Sequence, residues 1–153
     1  STFTELATLL LGDAKQAKSF MSKAKLHSME ELEDSWWNLY EKLLSTGRAV
    51  ELSLKIELED FLYNVQKLIH NKNLSTDENL TGDVSIDTAA FDDSQCIGDW
   101  CAHFNSTWKN HKLVGMDIGT DSLVLMVLSN EEFKTAQELA KELLHRIDVA
   151  ERL

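Results

Sequence analysis

Between residues 113 and 128 the chain reads LVGMDIGTDSLVLMVL, two apolar stretches around a tip with Asp117, Gly119, Thr120, Asp121 and Ser122. These residue types suit phosphate or metal chemistry. A carboxylate can hold a divalent cation, and a Gly-Thr turn lets backbone N–H groups approach phosphate oxygens. The same residues meet the needs of a tight turn between paired strands, with Gly119 and Asp121 supplying the turn geometry. A second cluster is Cys96, Cys101 and His103. At helical spacing the two thiols point about 140° apart, so they cannot grip one ion, whereas Cys96 and His103 share a side. Cys101 falls on an apolar stripe and reads as a core thiol. No fourth ligand, orienting group or oxyanion element accompanies them, so neither a metal centre nor a Cys–His nucleophile is expected. His27, His70, His111 and His145 fall at helix ends or wet faces. His70 and His111 are placed in last turns, where an imidazolium offsets the helix dipole. Glu57, Glu59 and Asp60 open a helix, where negative charge is favoured. No nucleophile elbow of the G-x-S-x-G kind occurs. The expectation is no catalytic residue, no metal and no cofactor.

The elements that position these groups follow from periodicity. Phe3, Leu6, Ala7, Leu10, Ala14, Ala17 and Met21 recur at helical spacing, with Gly12-Asp13 dividing them into two helices. Ser28-Met-Glu-Glu31 is a capping box opening a helix to about Ser45, with Met29, Leu32, Trp36, Leu39, Tyr40, Leu43 and Leu44 on one stripe. Trp37 lies at that stripe's edge. Residues 49–56 alternate, with Val50, Leu52, Leu54 and Ile56 on one side, as in a half-buried strand. A helix over 57–69 buries Phe61, Leu62, Val65 and Leu68 and leaves Tyr63 on its wet face. Residues 71–90 read as a loop, with a short strand near Val84 as an option. A helix from Asp92 or Asp93 to Asn110 carries Ile97, Trp100, Cys101, Phe104 and Trp108 inward. Strands 113–118 and 122–128 form the hairpin. A capping box at Ser129-Asn-Glu-Glu132 starts a closing helix that reaches Ile147. The predicted fold class is α+β: four or five helices packed on a small, mainly antiparallel sheet of three or four strands. All 153 residues are expected to form a single domain.

Composition narrows the function classes. The net charge is −11, from 15 basic and 26 acidic residues. That argues against nucleic acid, which needs clustered Lys and Arg, and favours association with a basic partner. The charge is uneven. Residues 73–108 hold Asp77, Glu78, Asp83, Asp87, Asp92, Asp93 and Asp99 and no Lys or Arg, whereas the first 24 residues balance at +1. No run of about 18 apolar residues occurs, so no membrane span is expected. The N-terminus lacks the pattern of a signal peptide, and two cysteines are too few for a disulfide scaffold. Reduced thiols in a cytoplasm are the expectation.

Two resemblances bear on these readings. The Asp117–Ser122 segment resembles the first phosphate loop of the sugar-kinase, actin and heat-shock ATPase superfamily, where the Asp helps hold a metal. That resemblance implies a nucleotide seated between two large lobes. Only residues 129–153 follow the hairpin, which leaves no room for the remaining phosphate and adenosine elements. A structural hairpin is therefore expected. Separately, ELSLKIELEDFLYNVQKL (51–68) and LVGMDIGTDSLVLMVLSNEE (113–132) together resemble an uncharacterised bacterial family, a domain of unknown function. This resemblance implies a strand leading into an acidic turn and an aromatic helix, then a hairpin with an Asp-Thr-Asp-Ser-like tip and a closing helix. The family often shows a Trp after the first strand's acidic entry, where this chain has Lys55, Ile56 and Phe61. It implies a fold and no activity.

The functional expectation is a non-enzymatic acidic protein-binding module, in its sharpest form an immunity protein that neutralises a basic bacterial toxin. Its carboxylates would be Asp77, Glu78, Asp83, Asp87, Asp92, Asp93 and Asp99, aided by Trp37 and Tyr63 as aromatic anchors. One alternative is a small hydrolase or transferase using the Asp117–Ser122 tip with Cys96 or His103. Another is a structural or regulatory subunit, which would expose a larger apolar patch.

Overall fold

A computed structural model describes residues 1–74 and 83–153. The helices are α1 (Thr2–Leu11), α2 (Ala14–Met21), α3 (Met29–Ser45), α4 (Leu58–Asn71), α5 (Ile97–Thr107) and α6 (Asn130–Glu142). The strands are β1 (Val50–Leu52), β2 (His111–Met116), β3 (Leu123–Ser129) and β4 (Ile147–Val149). They form one antiparallel sheet in the order β1-β3-β2-β4. The arrangement is α+β, with six helices and four strands among the described residues.

The sheet is covered on both faces. Val124, Met126 and Leu128 of β3 join Val114 and Met116 of β2 in a core with α1, α2, α3 and α6. Leu123, Leu125 and Val127 join Leu113 in a second core with α4 and α5. This explains why β3 reads LVLMVL rather than alternating apolar and polar: neither side of it meets water. Alternate residues of β3 therefore feed different cores, and any helix can be assigned to one face by the core it enters.

Caps set the ends of several helices. Gly12 ends α1 in the left-handed region at φ 67°, and the Asp13 carboxylate then accepts from the amides of Lys15 and Gln16 to start α2. Ser129 and Glu132 form a reciprocal capping box on α6. At α3 the box is only half formed. Ser28 accepts from the Glu31 amide, but the Glu31 carboxylate reaches the amide of His27 instead of Ser28.

Four expectations are corrected. The predicted 49–56 strand is only Val50–Leu52, because Ser53 makes a turn: its Oγ accepts from Lys55 N at 3.1 Å and its carbonyl from Ile56 N at 3.1 Å. Val84 forms no strand, though it is buried in the second core. α5 starts at Ile97 rather than at Asp92 or Asp93. The Asp92 carboxylate holds a turn on Ser94, and its carbonyl accepts from Trp100 Nε1 at 2.9 Å. The fourth strand lies instead at Ile147–Val149, beyond a helix that ends at Glu142.

Candidate acidic binding surface

The predicted carboxylates divide by what their oxygens already hold. Asp83 is buried at 5% exposure and unavailable to a partner. One of its oxygens accepts from the amides of Lys109 (2.5 Å) and Asn110 (2.7 Å), and the other pairs with His111 Nδ1. Burial pushes this carboxyl up, but the Asn110 amide, the His111 ring and the Lys109 amide together outweigh it and hold the group below its ordinary value. His111 is thus a partner of Asp83 at the start of β2, not a residue of a helix's last turn. Asp87, Asp92 and Asp99 are exposed but serve local caps: Asp87 on Ala89, Asp92 on Ser94, and Asp99 on the amide and thiol of Cys96. Hydrogen bonds from the Ser94 hydroxyl and amide hold Asp92 below its ordinary value. Asp77 and Glu78 lie outside the described residues.

Asp93 is different. It is exposed and lines a cleft of about 520 Å³ with Thr88 and with Glu57, Glu59 and Asp60 at the start of α4. Leu58 and Leu62 supply its apolar lining. The helix start explains why three acids sit so close together: the unpaired amides and dipole of α4 favour negative charge there. Among the described residues, the ion pairs involve none of these four carboxylates. In the sequence, Glu57, Glu59 and Asp60 read as helix-start acids, with a general-acid pair as the alternative, and not as part of a partner surface. Their convergence with Asp93 depends on how the 83–96 segment returns across α4, which no local spacing encodes.

The two aromatic anchors separate. Tyr63 is 60% exposed and follows Asp60 by three positions on α4, so it shares a helix side with the cleft. Lys67 Nζ sits 5.2 Å from its ring centroid. Trp37 is 41% exposed on α3, edge-on to Tyr40 at 4.9 Å. Because α3 and α4 cover opposite faces of the sheet, Trp37 and the acidic cleft do not form one surface.

At the hairpin, most polar groups of the tip are tied into the fold. Gly119 sits at φ 78°, and its amide donates to the Asp117 carboxylate at 2.8 Å, closing the turn. The Asp117 carbonyl accepts from Trp36 Nε1 at 2.9 Å. Ser122 bonds Thr120 and donates to Glu51, which also accepts the Tyr40 hydroxyl. Its bond to Glu51, then burial, push the Tyr40 phenol up to about 12. His145, read from sequence as lying at a helix end or on a wet face, follows the end of α6 and stacks on Trp36 at 4.2 Å and 5°. Its Nε2 lies 3.0 Å from Glu33, too oblique for a hydrogen bond.

Cys96 caps α5 and donates to Asp99, while the His103 ring meets Phe91 edge-on at 4.7 Å. Neither forms a hydrogen bond to the tip among the described residues. Cys101 is buried, and burial pushes its thiol up to about 12. No helix among the described residues is long and apolar enough to cross a membrane.

No curated protein and no solved structure matches the chain. The family model for a domain of unknown function, DUF6630, matches residues 2–150. The strand, aromatic helix, hairpin and closing helix described above fall within that match, and the chain belongs to this family.

Proposed function

We propose that the chain is a non-enzymatic binding protein that holds a basic protein partner on the acidic surface at the start of α4. In its most specific form the partner is a bacterial toxin whose cationic site the carboxylates cover, with the complex formed in the cytoplasm. The observation that carries this reading is the cleft shared by Glu57, Glu59, Asp60 and Asp93, with Tyr63 on the same helix side. Four carboxylates with no ion pair among the described residues repel one another, and a cationic partner relieves that repulsion as it binds. An exposed tyrosine beside them adds rigid apolar contact at low entropic cost. Of the residues expected from sequence, this proposed set keeps Asp93 and Tyr63, leaves out Asp83, Trp37 and the local caps Asp87, Asp92 and Asp99, and adds Glu57, Glu59 and Asp60, while Asp77 and Glu78 lie outside the described residues.

The test uses the tagged protein as bait in lysate of its own host at low and moderate salt. The expected result is one basic protein, retained stoichiometrically at low salt and released as salt rises. Retention that salt does not alter, or of an acidic protein, contradicts the reading.

A further inference from the structure

A second concavity lies across the sheet from the acidic cleft. α2 packs on α1 through Ala17 and Phe20 in the first core, and leaves a groove of about 510 Å³ between itself and α3. Phe20 is half-buried, stacked on Phe3 with centroids 6.1 Å apart, and it also lines the groove. Ala24 adds a second apolar contact. Lys23, just beyond α2, and Lys42, in the last turn of α3, line it from the two walls. Glu41 is the one acid among the lining residues, so the groove carries +1 in a chain of −11. Among the described residues, neither lysine is in an ion pair.

Lys42 also offsets the dipole of α3. That role does not require Lys23 to approach from the other wall, nor an aromatic ring between them. We infer that this groove binds a small organic anion, an aryl or acyl carboxylate or sulfonate, with its apolar body on Phe20 and Ala24 and its charge between Lys23 and Lys42. The volume falls in the range of small-molecule sites, about 300–1,000 Å³. The Phe20 ring is held in place by Phe3, so the apolar wall is formed before a ligand arrives.

The test compares two probes of one skeleton on the full chain: the anion 1-anilinonaphthalene-8-sulfonate and the neutral N-phenyl-1-naphthylamine, followed by fluorescence. The expected result is one saturable site per chain for the anion, at least about fivefold tighter than the neutral probe, with decanoate displacing it. Lys23→Gln with Lys42→Gln should remove that preference, and Ser19→Trp, which fills the groove from α2, should block both probes. Glu59→Gln with Asp60→Asn and Asp93→Asn should leave probe binding unchanged, which separates this site from the acidic cleft. Absence of saturable binding overturns the inference, as does equal affinity for the two probes. So does unchanged anion affinity in the lysine double variant, whose substitutions, exposed at Lys23 and half-buried at Lys42, lie outside both cores.

Discussion

Asp83 shows how much one side chain can organise. Its carboxylate gathers two backbone amides and an imidazole, and so joins the segment entering α5 to the first residue of β2. Replacing Asp83 with Ala orphans these donors in a part-buried setting and should cost about 2 kcal/mol, read from urea unfolding. The pH dependence follows from the same contacts. Asp83 and Glu132 are both held below their ordinary values of 3.8 and 4.5, Glu132 because its bond to Lys72 and the Ser129 amide together outweigh its burial. Groups depressed in the folded state stabilise it above the unfolded pKa and lose that effect as pH falls through the folded one. Stability should therefore hold from pH 7 to about 5 and decline below about 4.5. Asp83→Asn should flatten part of that decline, and an unchanged acid limb would contradict the assignment. At the thiols, Cys96 is exposed and Cys101 buried, so a thiol reagent should titrate one group in the native protein and two after unfolding. From sequence, Asp83 was one of seven similar acids. The amides that bury it are 26 and 27 residues away, so nothing nearby distinguishes it from Asp93.

Among the elements, the short pairing of β4 leaves part of β2 without a strand beside it. β4 meets β2 only at Val114, Gly115 and Met116. At Leu113 the side-chain amide of Asn105 takes the missing strand's place. Its Oδ1 accepts from Leu113 N at 2.7 Å, and its Nδ2 donates to Leu113 O at 2.8 Å. Asn105→Ala should cost about 2 kcal/mol and speed exchange of the Leu113 amide, while exchange at wild-type rates would remove this role. Asn105 also locates α5 against the sheet, since it donates to Glu151 as well. The main elements were legible because their apolar periods and caps are strong: Gly12-Asp13 divides α1 from α2, and Ser129 with Glu132 opens α6. β4 was not legible. Leu143 and Ile147 extend the helical stripe of α6, but the chain leaves the helix at Leu144, which takes φ 61°. Glycine or asparagine normally marks such a cap, and a leucine there gives the sequence no warning. The two-sided burial of the sheet was written in LVLMVL, although a continuous apolar run does not by itself say which helices cover each face.

For the whole molecule, the double-faced sheet sets which surface residues can act together. The acidic cleft and Tyr63 lie on the α4 side, whereas Trp37 and the Lys23–Lys42 groove lie on the α3 side. The acidic bias over residues 73–108 was readable. The cleft set was not, because Glu57, Glu59 and Asp60 come from the N-cap and first turn of α4 and the fold joins them to Asp93. The most direct measurement is a titration of the basic partner recovered from host lysate against three forms of the chain: wild type, Glu59→Gln/Asp60→Asn/Asp93→Asn, and Trp37→Ala. The expected result is a loss of at least about tenfold in affinity for the triple variant, with reduced salt dependence, and little change for Trp37→Ala. Wild-type affinity in the triple variant, or a large loss confined to Trp37→Ala, would place the interface on the other face and contradict the account.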